Sequence, residues 1–183
     1  VLLLVAELRE DFREQILGFV SAHQLLFLSV LFLAAFTNAI PKPIIALPTL
    51  IVFLAVGGAF ILAGQDPVVA IAIGTIGALL GDLYVYWRGL KHEGESLHEV
   101  WRKSWSAESA EEAVNYMKSS GIRGLILSKF STTKRSFAPL AAGNMEWPLG
   151  KFFVMSLISC LLWASVLMAP FVVAGMALGL VAP

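Results

Sequence analysis

The sequence has 183 residues, of which 58% are hydrophobic and 14% are charged, and its mean hydropathy is +0.80. A soluble globular domain carries about 45–50% apolar and about 25% charged residues, so this composition excludes that class and predicts one integral membrane domain over residues 1–183. Lys plus Arg and Asp plus Glu number 13 each, so the net charge indicates no polyanionic partner, and no feature points to nucleic acid.

The chain opens with a polar segment followed by an apolar one. The acids in ELREDFREQ predict that residues 1–15 form an interfacial N-terminal segment. Residues 16–36 are apolar over close to the ~20 residues that a spanning helix requires. Pro41, Pro43 and Pro48 then remove backbone donors and predict a break in the helix. The apolar flanks favour a re-entrant break, and the alternative is an ordinary loop between two helices.

A run of small residues marks the next apolar segment. Residues 49–63 lead to a turn at 64–67, and residues 68–87 carry Gly74, Gly77 and Gly81 at helical spacing. Small residues at this spacing let helix backbones approach closely in lipid. We therefore expect this helix at the centre of the bundle.

Residues 91–119 predict a charged, amphipathic insertion that lies on the membrane surface. Trp101 and Trp105 suit the headgroup level, and Glu99 and Lys103 have ion-pair spacing on a helix. A docking role is the alternative. Because this insertion and the N-terminal flank both mix charge signs, the loops do not settle the orientation.

The segment 127–143, LSKFSTTKRSFAPLAAG, places a basic turn inside apolar sequence. Cations at membrane depth cost several kcal/mol unless they line a cavity or meet an anion. Pro139 and Gly143 interrupt the helix pattern after it, which predicts a second re-entrant hairpin over residues 121–147. Beyond it, Pro170 and Gly175 divide the run 148–182 into one kinked helix or two shorter helices.

The two broken segments occupy comparable places in two halves of the chain. This pattern is typical of transporters built from inverted repeats. The predicted fold is therefore all-α and polytopic, with two re-entrant helical hairpins in an inverted-repeat arrangement plus interfacial amphipathic helices.

Asp82 is the acid within an apolar span, where a carboxylate usually faces a partner inside the bundle. Its expected partner is Arg135, Lys134 or Lys129. Two interpretations stay open: a static ion pair that locks the halves together, and a group whose titration is coupled to anion binding.

The same three cations form a candidate anion site. The planar guanidinium suits phosphate oxygens, and the ammonium groups act as point charges. A cytosolic loop that satisfies the positive-inside rule is the alternative. Neighbouring hydroxyls complete the candidate substrate-binding set: Ser131, Thr132 and Thr133. We expect Cys160 to be a buried packing residue and the histidines to be packed or solvated. The sequence contains no recognised enzyme motif and predicts no metal or cofactor.

Three patches resemble the DedA family, also called SNARE-associated or VTT-domain membrane proteins. GALLGDLYVYWRG is similar to the family's Gly-Asp segment, FSTTKRSFAPLAAG to its Phe-x-Pro-x-x-Arg-x-x-x-Pro-x-x-Ala-Gly segment, and FTNAIPKP to its Glu-Asn and proline-rich segment. The matching positions are Gly81, Asp82, Tyr86, Gly89, Phe130, Arg135, Pro139, Ala142, Gly143, Asn38, Pro41 and Pro43. Thr37, Lys129 and Thr132 depart from the pattern, and the loss of the acid at Thr37 weakens proton coupling.

The resemblance implies a flippase- or scramblase-type transporter that moves an anionic lipid headgroup, such as a polyprenyl phosphate or a phospholipid, between leaflets. It adds Asn38 to the substrate-binding set and implies hinge or re-entrant roles for Pro41, Pro43, Pro139, Gly143 and Gly81. A prokaryotic plasma membrane is the expected location, with a homo-oligomer left open. A transporter of a small solute and a non-transporting scaffold are the alternatives.

Overall fold

The computed structural model describes residues 14–15, 17–40, 43–91, 107–131 and 134–180, with backbone alone at 43–47 and 107–114. The expectations for residues 1–13, Pro41, Thr132, Thr133 and the tryptophans of the surface insertion lie outside these ranges.

The described residues form helices joined by turns, as predicted for an all-α protein. The bounded helices are α1 Gln24–Asn38, α2 Pro43–Leu62, α3 Pro67–Lys91, α4 Ala107–Ser128, α5 Lys134–Asn144 and α6 Leu149–Ala177. Within the described ranges, α3 and α6 are long and apolar enough to cross a membrane, whereas α1 is a shorter apolar helix. Gly121 has φ 54° and ψ −133° and bends α4.

Helices α3 and α6 run in opposite directions, so each end of the bundle holds one terminus of each helix. At one end, the Tyr86 hydroxyl donates a hydrogen bond of 2.5 Å to the carbonyl of Trp147, just before α6. At the other end, a methyl group at Gly64 would lie 3.1 Å from the carbonyl oxygen of Leu180. We call these the tryptophan end and the turn end.

A polar layer separates two apolar cores along this pair. On the turn-end side, Ala70 and Ala78 of α3 pack with Ala164 and Met168 of α6. On the tryptophan-end side, Tyr86 belongs to a second core with α4, α5 and the start of α6. Asp82, Ser156 and Ser159 are buried between the two cores. The polar groups of both helices therefore meet at one depth.

Two helix reversals approach this layer. Helix α1 ends beside Gly81, where a methyl group would lie 2.5 Å from the carbonyl oxygen of Phe36. Helix α4 ends at Ser128, directly before Lys129, which contacts Asp82. The chain thus turns back twice near the level of Asp82.

Prolines break the helices less than the sequence predicts. Pro48 lies inside α2, and Pro139 and Gly143 lie inside α5. Helix α6 runs through Pro170 as a single helix, which was one of the two alternatives. Helix α2 begins at Pro43, in agreement with the break predicted at Pro41 and Pro43, and α5 begins at Lys134, five residues before Pro139. Each internal proline removes one backbone hydrogen bond, and packed neighbours can satisfy the freed carbonyl in a membrane bundle.

Gly143 is expected to be intolerant of a side chain. An alanine methyl there would overlap the carbonyl oxygen of Tyr86, because α5 and α3 are in backbone contact. Overpacking of this kind costs about 1–3 kcal/mol, so Gly143→Ala should lower the thermal unfolding temperature in detergent. Gly150→Ala is the matched control, since its methyl would enter open space. Equal melting of the two variants would contradict this close contact.

Candidate functional site

Asp82 lies at the centre of the polar layer. Its side chain is fully buried, and its Oδ1 accepts a hydrogen bond of 2.6 Å from Nζ of Lys129, which is 6% exposed. Of the three predicted partners, Lys129 makes this ion pair. A buried pair of this kind is tolerated when the remaining oxygen is also hydrogen-bonded.

Helix α6 supplies those remaining bonds. The Ser156 hydroxyl donates to Oδ2 of Asp82 at 2.5 Å, and Sγ of Cys160 lies 3.5 Å from the same oxygen. The sequence reading missed Ser156 and gave Cys160 a packing role alone. Their spacing of four residues in an apolar helix, which puts both on one face, is the signal that could have found them.

A narrow cleft lies beside the ion pair, between α1, α3, α6 and the turn before α5. Two buried cations, Lys129 and Arg135, face it, and Arg135 is only 5% exposed. The internal cavity is about 10 Å³, room for one water molecule. The lining residues are Ala35, Asn38, Ala39, Ala78, Lys129, Arg135 and Trp163. The sequence candidates Arg135, Lys129 and Asn38 are thus brought together.

The other basic and hydroxyl candidates near α5 have different surroundings. Ser131 caps α5. Its Oγ accepts a hydrogen bond of 3.4 Å from the backbone N–H of Lys134, and its carbonyl oxygen accepts one of 3.2 Å from the backbone N–H of Arg135. The ammonium of Lys134 lies 4.5 Å from the centre of the Tyr116 ring. Neither Lys134 nor Ser131 lines the cleft.

The hydroxyl of Ser136, in the first turn of α5, is buried and has no hydrogen-bond partner within the described residues. The described residues contain no group of three or more His, Cys, Asp or Glu side chains that could hold a metal ion. The polar groups that line the cleft are two cations, the amide of Asn38 and the indole of Trp163.

Lys129 therefore pairs with Asp82 of α3 and faces the same cleft as Arg135 of α5. The VTT domain profile matches residues 47–173. The chain belongs to this family. The match includes Asp82, Lys129 and Arg135, so the polar layer lies within the VTT domain.

Among curated proteins, this VTT-domain chain is similar to other membrane proteins. It is 30% identical over 105 residues to an uncharacterized membrane protein of Buchnera aphidicola from the aphid Acyrthosiphon pisum, covering 57% of this chain and 41% of the relative. It is 28% identical over 131 residues to an uncharacterized membrane protein of Buchnera aphidicola from Schizaphis graminum, with coverages of 71% and 52%. It is 27% identical over 110 residues to the inner membrane protein YabI of Escherichia coli, with coverages of 57% and 41%.

The chain spans about half the length of the curated relatives that it matches. No solved structure matches it. Family membership and these relatives identify an integral membrane protein, in agreement with the composition.

Proposed function

We propose that this VTT-domain protein translocates an anionic lipid headgroup, such as that of a polyprenyl phosphate or a phospholipid, across a prokaryotic plasma membrane. One observation supports this function above the others. Lys129 and Arg135 face the same cleft inside an apolar bundle, where Lys129 also forms an ion pair with Asp82. Cations held at this depth are suited to an anion that arrives from the bilayer.

The two reversals support re-entrant hairpins related as an inverted repeat. The α1–α2 hairpin starts from the turn end, where Gln24 donates a hydrogen bond to Gln65, and it reverses near Gly81. On the other side, α5 leaves the Asp82 level and reaches the tryptophan end.

The proline positions agree with this repeat. Pro48 is the sixth residue of α2, and Pro139 is the sixth residue of α5. A cleft-lining residue precedes each helix start by five positions, namely Asn38 and Lys129. The spacing is the same although the residue types differ.

Transport requires the cleft to open. A cavity of about 10 Å³ admits a water molecule but not a phosphate group. The cleft is therefore too small for a phosphate group, and the two hairpins must move apart to admit a headgroup. Rocking of one repeat against the other around a fixed site is the usual means of alternating access.

An apolar groove beside the cleft gives the lipid tail a place outside the bundle. It has a volume of about 260 Å³ and lies between α1 and α2. The Thr49 hydroxyl, in the groove, donates a hydrogen bond of 3.3 Å to Asn38 of the cleft. A headgroup that passes Asn38 toward Arg135 could leave its hydrocarbon chain in contact with Leu33 and Val52.

Two observations favour other functions. The small cavity suits a small solute, and the complete set of bonds around Asp82 suits a static clamp in a scaffold. Binding distinguishes the first alternative from lipid transport. Radiolabelled polyprenyl phosphate should bind the purified protein and resist competition by inorganic phosphate, because the tail adds affinity that the free anion lacks. Equal competition by inorganic phosphate would favour the small-solute transporter, and absence of binding would favour the scaffold.

A further inference from the structure

Two lysine–tryptophan stacks lie at the surface of the protein. Nζ of Lys91 lies 3.7 Å from the centre of the Trp87 ring, and Nζ of Lys151 lies 5.6 Å from that of Trp147. Both lysines are exposed, and half of the Trp87 surface is exposed. Each pair thus combines an amphipathic ring with a cation that reaches water.

The two stacks belong to the same end of the bundle. Trp87 and Lys91 form the last turn of α3, while Trp147 and Lys151 flank the start of α6. The Tyr86–Trp147 hydrogen bond joins these termini, and the Tyr86 ring stacks on Phe152 with centroids 4.3 Å apart. The tryptophan end therefore carries a rim of Trp87, Lys91, Trp147 and Lys151, with Arg88 beside it.

The turn end has the opposite character. Asp66 is exposed there, and Gln65 donates a hydrogen bond to Ser21. Among the described residues from 14 to 80, and again from 152 to 180, there is no Lys or Arg. The tryptophan end also carries one exposed acid, Glu146, but among the described residues it holds the cations Lys91, Arg88 and Lys151 that the turn end lacks. This asymmetry follows from how the helices pack, so loop composition alone does not show it.

We propose that the tryptophan end is the cytoplasmic face and that its rim binds the headgroups of anionic phospholipids in that leaflet. Tryptophan is enriched at headgroup level, and Lys and Arg are enriched on the cytoplasmic side of membrane proteins. Anionic lipids of the cytoplasmic leaflet attract such cations. The rim is separate from the buried cleft, so this inference does not depend on what the cleft transports.

The orientation assigns each hairpin to a leaflet. Helix α1 begins at the turn end and α2 finishes there, so this hairpin enters from the outer side. Helix α5 runs to the tryptophan end, so the second hairpin belongs to the cytoplasmic side. Asp82 is nine residues from Lys91 and fifteen from Pro67, or about 14 Å and about 22 Å along α3 at 1.5 Å per residue. The cleft therefore lies closer to the cytoplasmic surface.

Cysteine labelling in spheroplasts tests the orientation. Gly150→Cys probes the tryptophan end in open space, and Leu178→Cys probes the turn end at a residue that is 66% exposed. Native Cys160 is fully buried and stays as it is. A membrane-impermeant maleimide should label Leu178→Cys in intact spheroplasts and Gly150→Cys only after permeabilisation. The proposal would be overturned if Gly150→Cys were labelled before permeabilisation, or if it were not labelled after permeabilisation.

Brominated lipids test the partner. With Trp101, Trp105 and Trp163 replaced by phenylalanine, brominated phosphatidylglycerol should quench Trp87 and Trp147 more than brominated phosphatidylcholine at equal fraction. Each lysine should contribute about fivefold enrichment of anionic lipid. The Lys91→Gln/Lys151→Gln variant should lose the difference, whereas Lys118→Gln, at an exposed lysine of α4 that belongs to neither stack, should keep it. Equal quenching by the two lipids in the parent protein would reject an anionic partner.

Discussion

Asp82→Asn should be among the most destabilising single substitutions in this protein. The amide keeps the size of the carboxylate but leaves the Lys129 ammonium, which is 6% exposed, without its counter-charge. Removing one member of a buried ion pair costs about 3–5 kcal/mol. The expected result is a large fall in the thermal unfolding temperature of the reconstituted protein. Asp66→Asn is the matched control, because that carboxylate is exposed and asparagine can also cap a helix.

The double variant Asp82→Asn/Lys129→Met keeps this prediction measurable if the single variant does not fold. Joint replacement of a buried pair is often neutral or stabilising, so the double variant should regain most of the lost stability. Failure of Lys129→Met to restore folding would show that the pair is not the source of the loss.

The same double variant separates two roles of the pair. A static clamp predicts that lipid translocation returns together with the fold. A role of Lys129 in holding the phosphate predicts a folded protein that translocates slowly. Translocation in proteoliposomes made from the double variant therefore decides between the interpretations that the sequence leaves open for Asp82.

The membrane character of the chain and the pairing of Asp82 with a cation from residues 129–135 were predictable from the sequence, because an unpaired charge in apolar surroundings carries a high free-energy cost. An acid in an apolar run, such as Asp82, and a basic turn, such as that before Arg135, both carry a high free-energy cost in lipid unless they meet. The structure brings the two segments together through Lys129. The family membership was also predictable, since the motif around Arg135, Pro139 and Gly143 is contiguous.

The choice of partner for Asp82 was not predictable. Lys129, Lys134 and Arg135 lie within seven residues, and which of them faces α3 depends on how α4 ends and α5 begins. Helix α5 begins with Lys134 near Tyr116 and Arg135 in the cleft, which leaves Lys129 for the carboxylate. A change of one residue in the start of α5 would rotate Lys134 and Arg135 by about 100° around the helix axis.

Proline also misled the sequence reading, for a physical reason. A proline removes one hydrogen bond and adds a local clash, but close tertiary contacts can outweigh that cost. Helix α5 is continuous through Pro139, and the backbone of Gly143 in the same helix packs against that of Tyr86. Sequence alone shows the proline but not the opposing helix.

The largest functional effect is expected from Arg135. Arg135→Met keeps much of the length of the side chain in a 95% buried position but removes its charge, so the fold should survive while lipid translocation is lost. Arg135→Lys keeps the charge without the planar fork that matches phosphate oxygens, and an intermediate rate is expected. Arg123→Met, at an exposed arginine on α4, is the matched control and should translocate normally.

The measurement is the transfer of a fluorescent anionic lipid between the leaflets of proteoliposomes, followed by quenching of the outer leaflet, with unfolding temperatures recorded in parallel. A charge-assisted hydrogen bond contributes roughly 1.5–3 kcal/mol. If transport depends on a bidentate contact, a loss of two or more orders of magnitude follows for Arg135→Met. A folded Arg135→Met protein that translocates at the parent rate would remove the cationic cleft from the mechanism and leave the Asp82–Lys129 pair with a structural role alone.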